Sequence, residues 1–107
     1  TALGVDTGML PKPFLIEKAT GEKVIVTKDV FKLGRDPEQA DYASNNKVVG
    51  RIHAELVTVD GEYFLIDKHS RNGSFLNGVK LSPNEKVKIK HEDIIKLANQ
   101  EFVFKVF

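Results

Sequence analysis

The stretch from Ala54 to Asp67 constrains the fold more than any other part of the chain. Ala54-Glu55-Leu56-Val57-Thr58-Val59 and Tyr63-Phe64-Leu65-Ile66-Asp67 are β-rich runs joined through Asp60-Gly61. An Asp-Gly dipeptide favours a tight hairpin because both central residues of such a turn must accept positive φ. The stretch therefore predicts two antiparallel strands. The same punctuation recurs along the chain. Phe14 to Lys18 and Lys23 to Thr27 flank Ala19-Thr20-Gly21-Glu22, whose glycine suits a short hairpin loop. Val30-Phe31-Lys32-Leu33 runs into Gly34-Arg35, and Asp36 to Val49, with Pro37 and Asn45-Asn46, reads mostly as loop with a short strand around Asp41-Tyr42. Phe75-Leu76, Val79-Lys80-Leu81, Lys86-Val87-Lys88-Ile89, Asp93 to Leu97 and Glu101 to Val106 complete the series. In the last run Phe102, Phe104 and Val106 share one face, and Val103, Lys105 and Phe107 the other. No helical period persists over a useful length. Many short strands with closely spaced turns predict an all-β sandwich rather than a βαβ fold.

The length of 107 residues suits one domain able to bury roughly two-thirds of its unfolded surface, so no metal or disulfide is required for a core. Cysteine is absent, which removes disulfides, zinc-thiolate sites and a cysteine nucleophile, and fits a reducing compartment with cytosol as the default. Sixteen Lys and Arg against fifteen Asp and Glu leave a net charge of +1, so no global field draws nucleic acid or an anionic membrane. Any recognition of an anion must be local. No apolar run in the 107 residues approaches the ~18 of a membrane span, and no basic start with an apolar centre suggests export. Residues 1–13, punctuated by Gly4, Gly8, Pro11 and Pro13, read as a linker. Its Leu3, Val5, Met9 and Leu10 suggest partial docking on a domain spanning residues 14–107. Repeats and low-complexity segments are absent.

Three polar clusters interrupt the strands: Gly34-Arg35, Gly50-Arg51-Ile52-His53-Ala54, and Ser70-Arg71-Asn72-Gly73-Ser74-Phe75-Leu76-Asn77-Gly78. Each falls where a strand gives way to a loop, the place where a rigid β scaffold displays binding groups. A guanidinium such as that of Arg35 carries donors in a fixed fork that suits a dianionic phosphate. A carboxamide such as that of Asn72 donates and accepts at once, although Asn-Gly is also an ordinary turn dipeptide.

In order and spacing the clusters resemble the forkhead-associated (FHA) domain, whose pattern is Gly-Arg at a strand end, then Ser-Arg-x-His, then Asn-Gly-(Thr/Ser)-aromatic-x-Asn-Gly. The resemblance covers Phe14 to Phe107. It implies a sandwich of about eleven short strands with binding loops at one end, acting as a phosphothreonine-dependent protein-interaction module without cofactor, metal or catalytic residues. By resemblance Gly34 permits the sharp exit from its strand and Arg35 supports the phosphate site. Arg51 points toward bound peptide, Asn72 bonds the peptide backbone, and His53 holds the loops from beneath. Gly73 and Asn77 shape the third cluster, with Asn77-Gly78 leaning toward a hairpin turn and Ser74 toward the scaffold. Gly50 departs from the pattern, because the family has there a Ser that donates to a phosphate oxygen. A hydrogen bond to a charged group is worth about 1.5–3 kcal/mol, so phosphate should bind roughly tenfold to a hundredfold more weakly. Lys47, in the same loop, and Arg71, where Thr is common, are candidates to compensate. The family also implies a preference for phosphothreonine over phosphoserine.

The main alternative is a degenerate FHA domain that keeps the sandwich and binds a protein partner independently of phosphate; Gly50 favours it, and Arg35, Arg51 and Asn72 together oppose it. A hydrolase built on Ser70, His69 and a carboxylate lacks a nucleophile elbow, and His53, His69 and His91 lack metal-binding spacing. Lys86, Lys88 and Lys90 alternate between Glu85 and Glu92, which reads as a solvated strand face rather than a nucleic-acid surface. The Thr-Ala-Leu-Gly lead resembles bacterial signalling proteins that end in an FHA domain, implying a cytoplasmic setting. Thr7, with Leu10 three residues on, and Thr1 are candidate ligands in cis once phosphorylated.

Overall fold

The computed structural model describes residues 12–107. Eleven strands lie among them: β1 (Phe14–Glu17), β2 (Lys23–Ile25), β3 (Val30–Gly34), β4 (Tyr42–Ala43), β5 (Ala54–Val59), β6 (Glu62–Asp67), β7 (Ser74–Leu76), β8 (Val79–Lys80), β9 (Lys86–Ile89), β10 (Ile94–Leu97) and β11 (Gln100–Lys105). They form two sheets, one in the order β9-β6-β5-β3-β4 and the other β2-β1-β11-β10-β7-β8. The result is the all-β sandwich expected from the FHA-like pattern. The linker assigned to residues 1–13 lies outside the described residues, apart from Lys12 and Pro13.

Local turn chemistry sets the hairpins. Asp60 and Gly61 have φ of 52° and 78°, and Asn77 and Gly78 have 50° and 85°. Both dipeptides thus take the mirror-image turn that matches strand twist. The Asp60-Gly61 turn fixes a six-residue register from Ala54↔Asp67 to Val59↔Glu62. Period-2 alternation then sends Leu56 and Leu65 into the core, where they meet Leu15, Phe31, Leu33, Ile89, Ile95, Leu97, Phe102 and Phe104, all at most 2% exposed. Tyr63 and Tyr42 set their rings edge-on to Phe104 and Phe102.

Two strands differ from expectation. The run Lys23 to Thr27 keeps only Lys23–Ile25 as strand: the Val26 N–H still donates to the Pro13 carbonyl in register with β1, but proline has no N–H to carry the ladder on. The short strand expected around Asp41-Tyr42 is Tyr42–Ala43, and it pairs parallel to β3 through Leu33↔Tyr42 and Gly34↔Ala43. Asp41 instead satisfies the open edge of β3 beside that pairing: its carboxylate accepts the Lys32 N–H at 2.8 Å, and its own N–H donates to the Lys32 carbonyl.

Candidate functional site

The site begins with Gly34, the last residue of β3. A Cβ there would overlap the Arg51 carbonyl oxygen, so glycine is what lets the Gly50-Arg51 segment lie against the strand end. The Arg35 N–H then donates to the Gly50 and Arg51 carbonyls at 2.9 and 3.0 Å. Arg35 Nε donates to the Val49 carbonyl at 2.9 Å, which fixes the root of the guanidinium while the side chain stays exposed. Val49 itself is buried and anchors this loop to the core.

His53 ties the second loop to the third. Its ring is fully buried, its Nδ1 lies 2.9 Å from the Gly50 N–H and its Nε2 lies 2.8 Å from the Gly73 carbonyl. An N–H donor facing Nδ1 and a carbonyl acceptor facing Nε2 are both satisfied by one species, the neutral imidazole with its proton on Nε2. Asn72 adds a second tie, with Nδ2 donating to the Val48 carbonyl at 2.7 Å. Asn46 orders the same loop, accepting the Val48 N–H on Oδ1 and donating from Nδ2 to Asn99 in the β10–β11 turn. Arg35, Lys47, Gly50, Arg51, Arg71 and Asn72 are therefore gathered on three adjoining loops at one end of the sandwich.

The charges of this end are unevenly compensated. Arg51 pairs with Asp36 at 3.3 Å. The Glu38 backbone N–H, with the Arg51 guanidinium, holds the Asp36 carboxyl below its ordinary value. Arg35, Lys47 and Arg71 are exposed and form no ion pair among the described residues. Gly50 has no positive φ, and a Cβ there would come no closer than 3.5 Å to His53 Nδ1. A side chain fits at position 50.

A residue that sequence reasoning missed supports the third loop. Asp67 is 2% exposed, and its carboxylate accepts from the Ser70 N–H, the Ser70 hydroxyl and the Ser74 hydroxyl. Burial pushes its pKa up, but the Ser70 and Ser74 hydrogen bonds outweigh this and hold it below the ordinary value. Ser70 Oγ in turn accepts the Gly73 N–H at 3.0 Å, closing a tight turn in which Gly73 takes φ of 87°. The signal lay in Asp67-x-x-Ser70, a side-chain-to-backbone turn motif. The same bonds keep Ser70 from His69, whose Nε2 meets the Asn84 amide at 2.9 Å, so the imagined hydrolase set is not assembled.

Asn77 belongs elsewhere. Sequence reasoning placed it among the supports of the binding loops, yet its left-handed turn directs its carboxamide to the Asp93 carboxylate and the Ile94 N–H, at the opposite end of β10. Lys88 and Lys90 are paired with Glu62 and Asp93, and Lys86 lies over the Phe64 ring.

The model of the FHA domain matches residues 31–98 of the sequence, more than half of its length and all three loops. The chain belongs to the FHA domain family. This is a family of phosphothreonine-binding modules, and the domain itself is a non-catalytic binding unit. The human nuclear inhibitor of protein phosphatase 1 is 34% identical over 67 residues, covering 60% of this chain. This chain spans 19% of that relative's length. Among solved structures, Mycobacterium tuberculosis EmbR in complex with a low-affinity phosphopeptide superposes with a TM-score of 0.83 at 23% identity, over 90% of this chain and 24% of EmbR. The N-terminal FHA domain of Saccharomyces cerevisiae Rad53p in complex with a phosphothreonine peptide gives 0.80 at 21% identity, over 90% of this chain and 94% of that one. At these identities the likenesses establish the FHA fold.

Proposed function

We propose that this FHA domain binds phosphothreonine peptides at the loop end, with Arg35 as the principal phosphate contact. Arg51 and Asn72 engage the peptide, Lys47 and Arg71 supply further positive charge, and Gly34, His53 and Gly73 hold the loops. The observation that carries the reading is the bracing of three cation-bearing loops by neutral or backbone partners. His53, Asn72 and the Val49 carbonyl hold the loops without neutralising Arg35, Lys47 or Arg71. A phosphate dianion supplies the missing counter-charge. Gly50 removes one donor, so the affinity is expected to be weak.

Calorimetric titration with a phosphothreonine peptide and its unphosphorylated twin tests this reading. Measurable binding of the first alone, lost in Arg35→Ala, is the expected result. Equal binding of both peptides would replace it with the phosphate-independent alternative.

The same pocket, so read, extends to a ligand in cis. Phosphothreonine at position 7 should reduce affinity for peptides added in trans, because a tether holds its ligand near millimolar concentration and thereby rescues a weak pocket. Unchanged affinity would exclude it. Thr1, Thr7 and the lead taken as the sign of a bacterial, cytoplasmic signalling protein all lie outside the described residues.

A further inference from the structure

The outer face of the six-stranded sheet is unlike that of a solvated antiparallel sheet, where outward positions are polar. Ile16 on β1, Val103 on β11 and Ile94 on β10 stand side by side in register, with Phe14 and Ile25 paired in the next row. All five alternate with core residues, and Ile25 is 48% exposed. Around this band stand lysines. Lys23 lies opposite Ile16 with Nζ 4.3 Å from the Phe14 ring, and Lys96 holds Nζ 5.2 Å from the Phe75 ring. Lys12 and Lys23 border a shallow hollow of about 330 Å³ floored by Phe14 and Ile25. Lys80 flanks Phe75, and Lys105 flanks Phe14. Of the acids nearby, Glu92 holds the Lys105 ammonium, and Glu101, which faces Lys96 across the strands, is bound to Lys18, so Lys12, Lys23, Lys80 and Lys96 form no ion pair among the described residues. The five-stranded sheet also has an outward apolar row, Val30, Val57 and Phe64, but fewer unpaired lysines beside it. Lys88 is paired with Glu62, and only Lys32, opposite Glu55, and Lys86, over the Phe64 ring, lack an ion pair among the described residues.

We propose that the β1–β11–β10 face docks an acidic amphipathic helix of a partner protein, a second binding surface independent of the phosphothreonine reading. The three-strand apolar row is about 10 Å across, two inter-strand spacings, and matches the width of one helix. Leucines on the helix face cover Ile16, Val103 and Ile94, while flanking Glu and Asp meet Lys12, Lys23, Lys80 and Lys96. This is the helix-in-groove mode with charge complementarity setting orientation. A bilayer is a poorer match, because the central row is half-buried in the sheet rather than protruding from it.

The test is an NMR titration of the chain with a synthetic helix of about five turns carrying Leu on one face and Glu elsewhere. A twin with Lys in place of Glu and vesicles of mixed phosphatidylcholine and phosphatidylserine are the comparison probes. The acidic helix should shift the Ile16, Ile94 and Val103 amides and leave those of Arg35 and Gly50 in place. Val103→Glu should abolish the shifts, and the surface double variant Lys23→Glu with Lys96→Glu, which leaves the core intact, should weaken binding about tenfold. No shift of these amides, equal response to the Lys twin, or response to the vesicles in place of the helix would overturn the proposal. So would movement of the same amides on deleting residues 1–11, which would assign the face to the chain's own N-terminal segment.

Discussion

The two ends of the sandwich solve one structural problem with opposite electrostatic outcomes. At each end a buried aspartate organises a turn: Asp67 gathers Ser70 and Ser74 at the loop end, and Asp93 gathers Asn77, the Lys90 N–H and the Lys90 ammonium at the other. The far end thereby consumes its cation, with Lys90 bound to Asp93 at 2.9 Å. The loop end spends Asp67 on neutral hydroxyls and uses His53 and backbone carbonyls for the rest. Arg35, Lys47 and Arg71 are left without an acid among the described residues. In the proposed reading, rigidity without charge neutralisation is what fits the loop end, and not the far end, for an anion.

The sharpest way to break this comparison is His53→Ala. Removing a fully buried ring that bridges two loops should cost about 2–4 kcal/mol of stability, measured by chemical denaturation, and should reduce phosphopeptide affinity in the folded fraction. Retained affinity would mean that the bracing does not preorganise the cations. Gly50→Ser comes next. The space around Gly50 admits a side chain, so the variant should fold normally and tighten phosphopeptide binding by up to about 1.5–3 kcal/mol, read by calorimetry. Unchanged affinity would show that position 50 does not face the phosphate.

Asn77→Gly addresses the far end alone, since glycine keeps the left-handed turn while removing the bonds to Asp93 and Ile94. The expected loss is about 1–2 kcal/mol of stability with phosphopeptide affinity unchanged. A fall in affinity would show that the two ends are coupled.

Much of the fold was legible in the sequence because its information is local. Asp60-Gly61 and Asn77-Gly78 specify their turns within a few residues, and alternation in β5, β6 and β11 specifies which side chains face inward. β4 was less legible, for its two residues pair with β3 through a parallel contact that no nearby residue announces. The gathering of Arg35, Gly50, Arg51 and Asn72 was accessible by resemblance to a spaced pattern. Their charge balance was not, because Asp36 meets Arg51 from fifteen residues away. Asp67 looked like an ordinary strand-end acid until its burial made its hydroxyl partners decisive.

The smallest expected effect is a pH dependence shared by both ends. Burial raises the pKa of Asp67 and Asp93, but Ser70 and Ser74 in the first case, and Asn77 and Lys90 in the second, bring each below the ordinary 3.8. A carboxylate depressed in the folded state contributes stability that is complete above its unfolded pKa and is lost as pH falls through the folded one. Thermal midpoints should therefore hold near neutrality and fall below about pH 4, less steeply in Asp67→Asn. An identical acid profile in that variant would remove Asp67 from the account.

The most direct measurement is an NMR titration of the uniformly labelled chain with free phosphothreonine, too small to contact more than one end at a time. A preformed anion site predicts concentration-dependent shifts at Arg35, Gly50, Arg51 and Asn72, with Asn77, Lys90 and Asp93 unmoved. Shifts of equal size at both ends, or none at the loops, would contradict it.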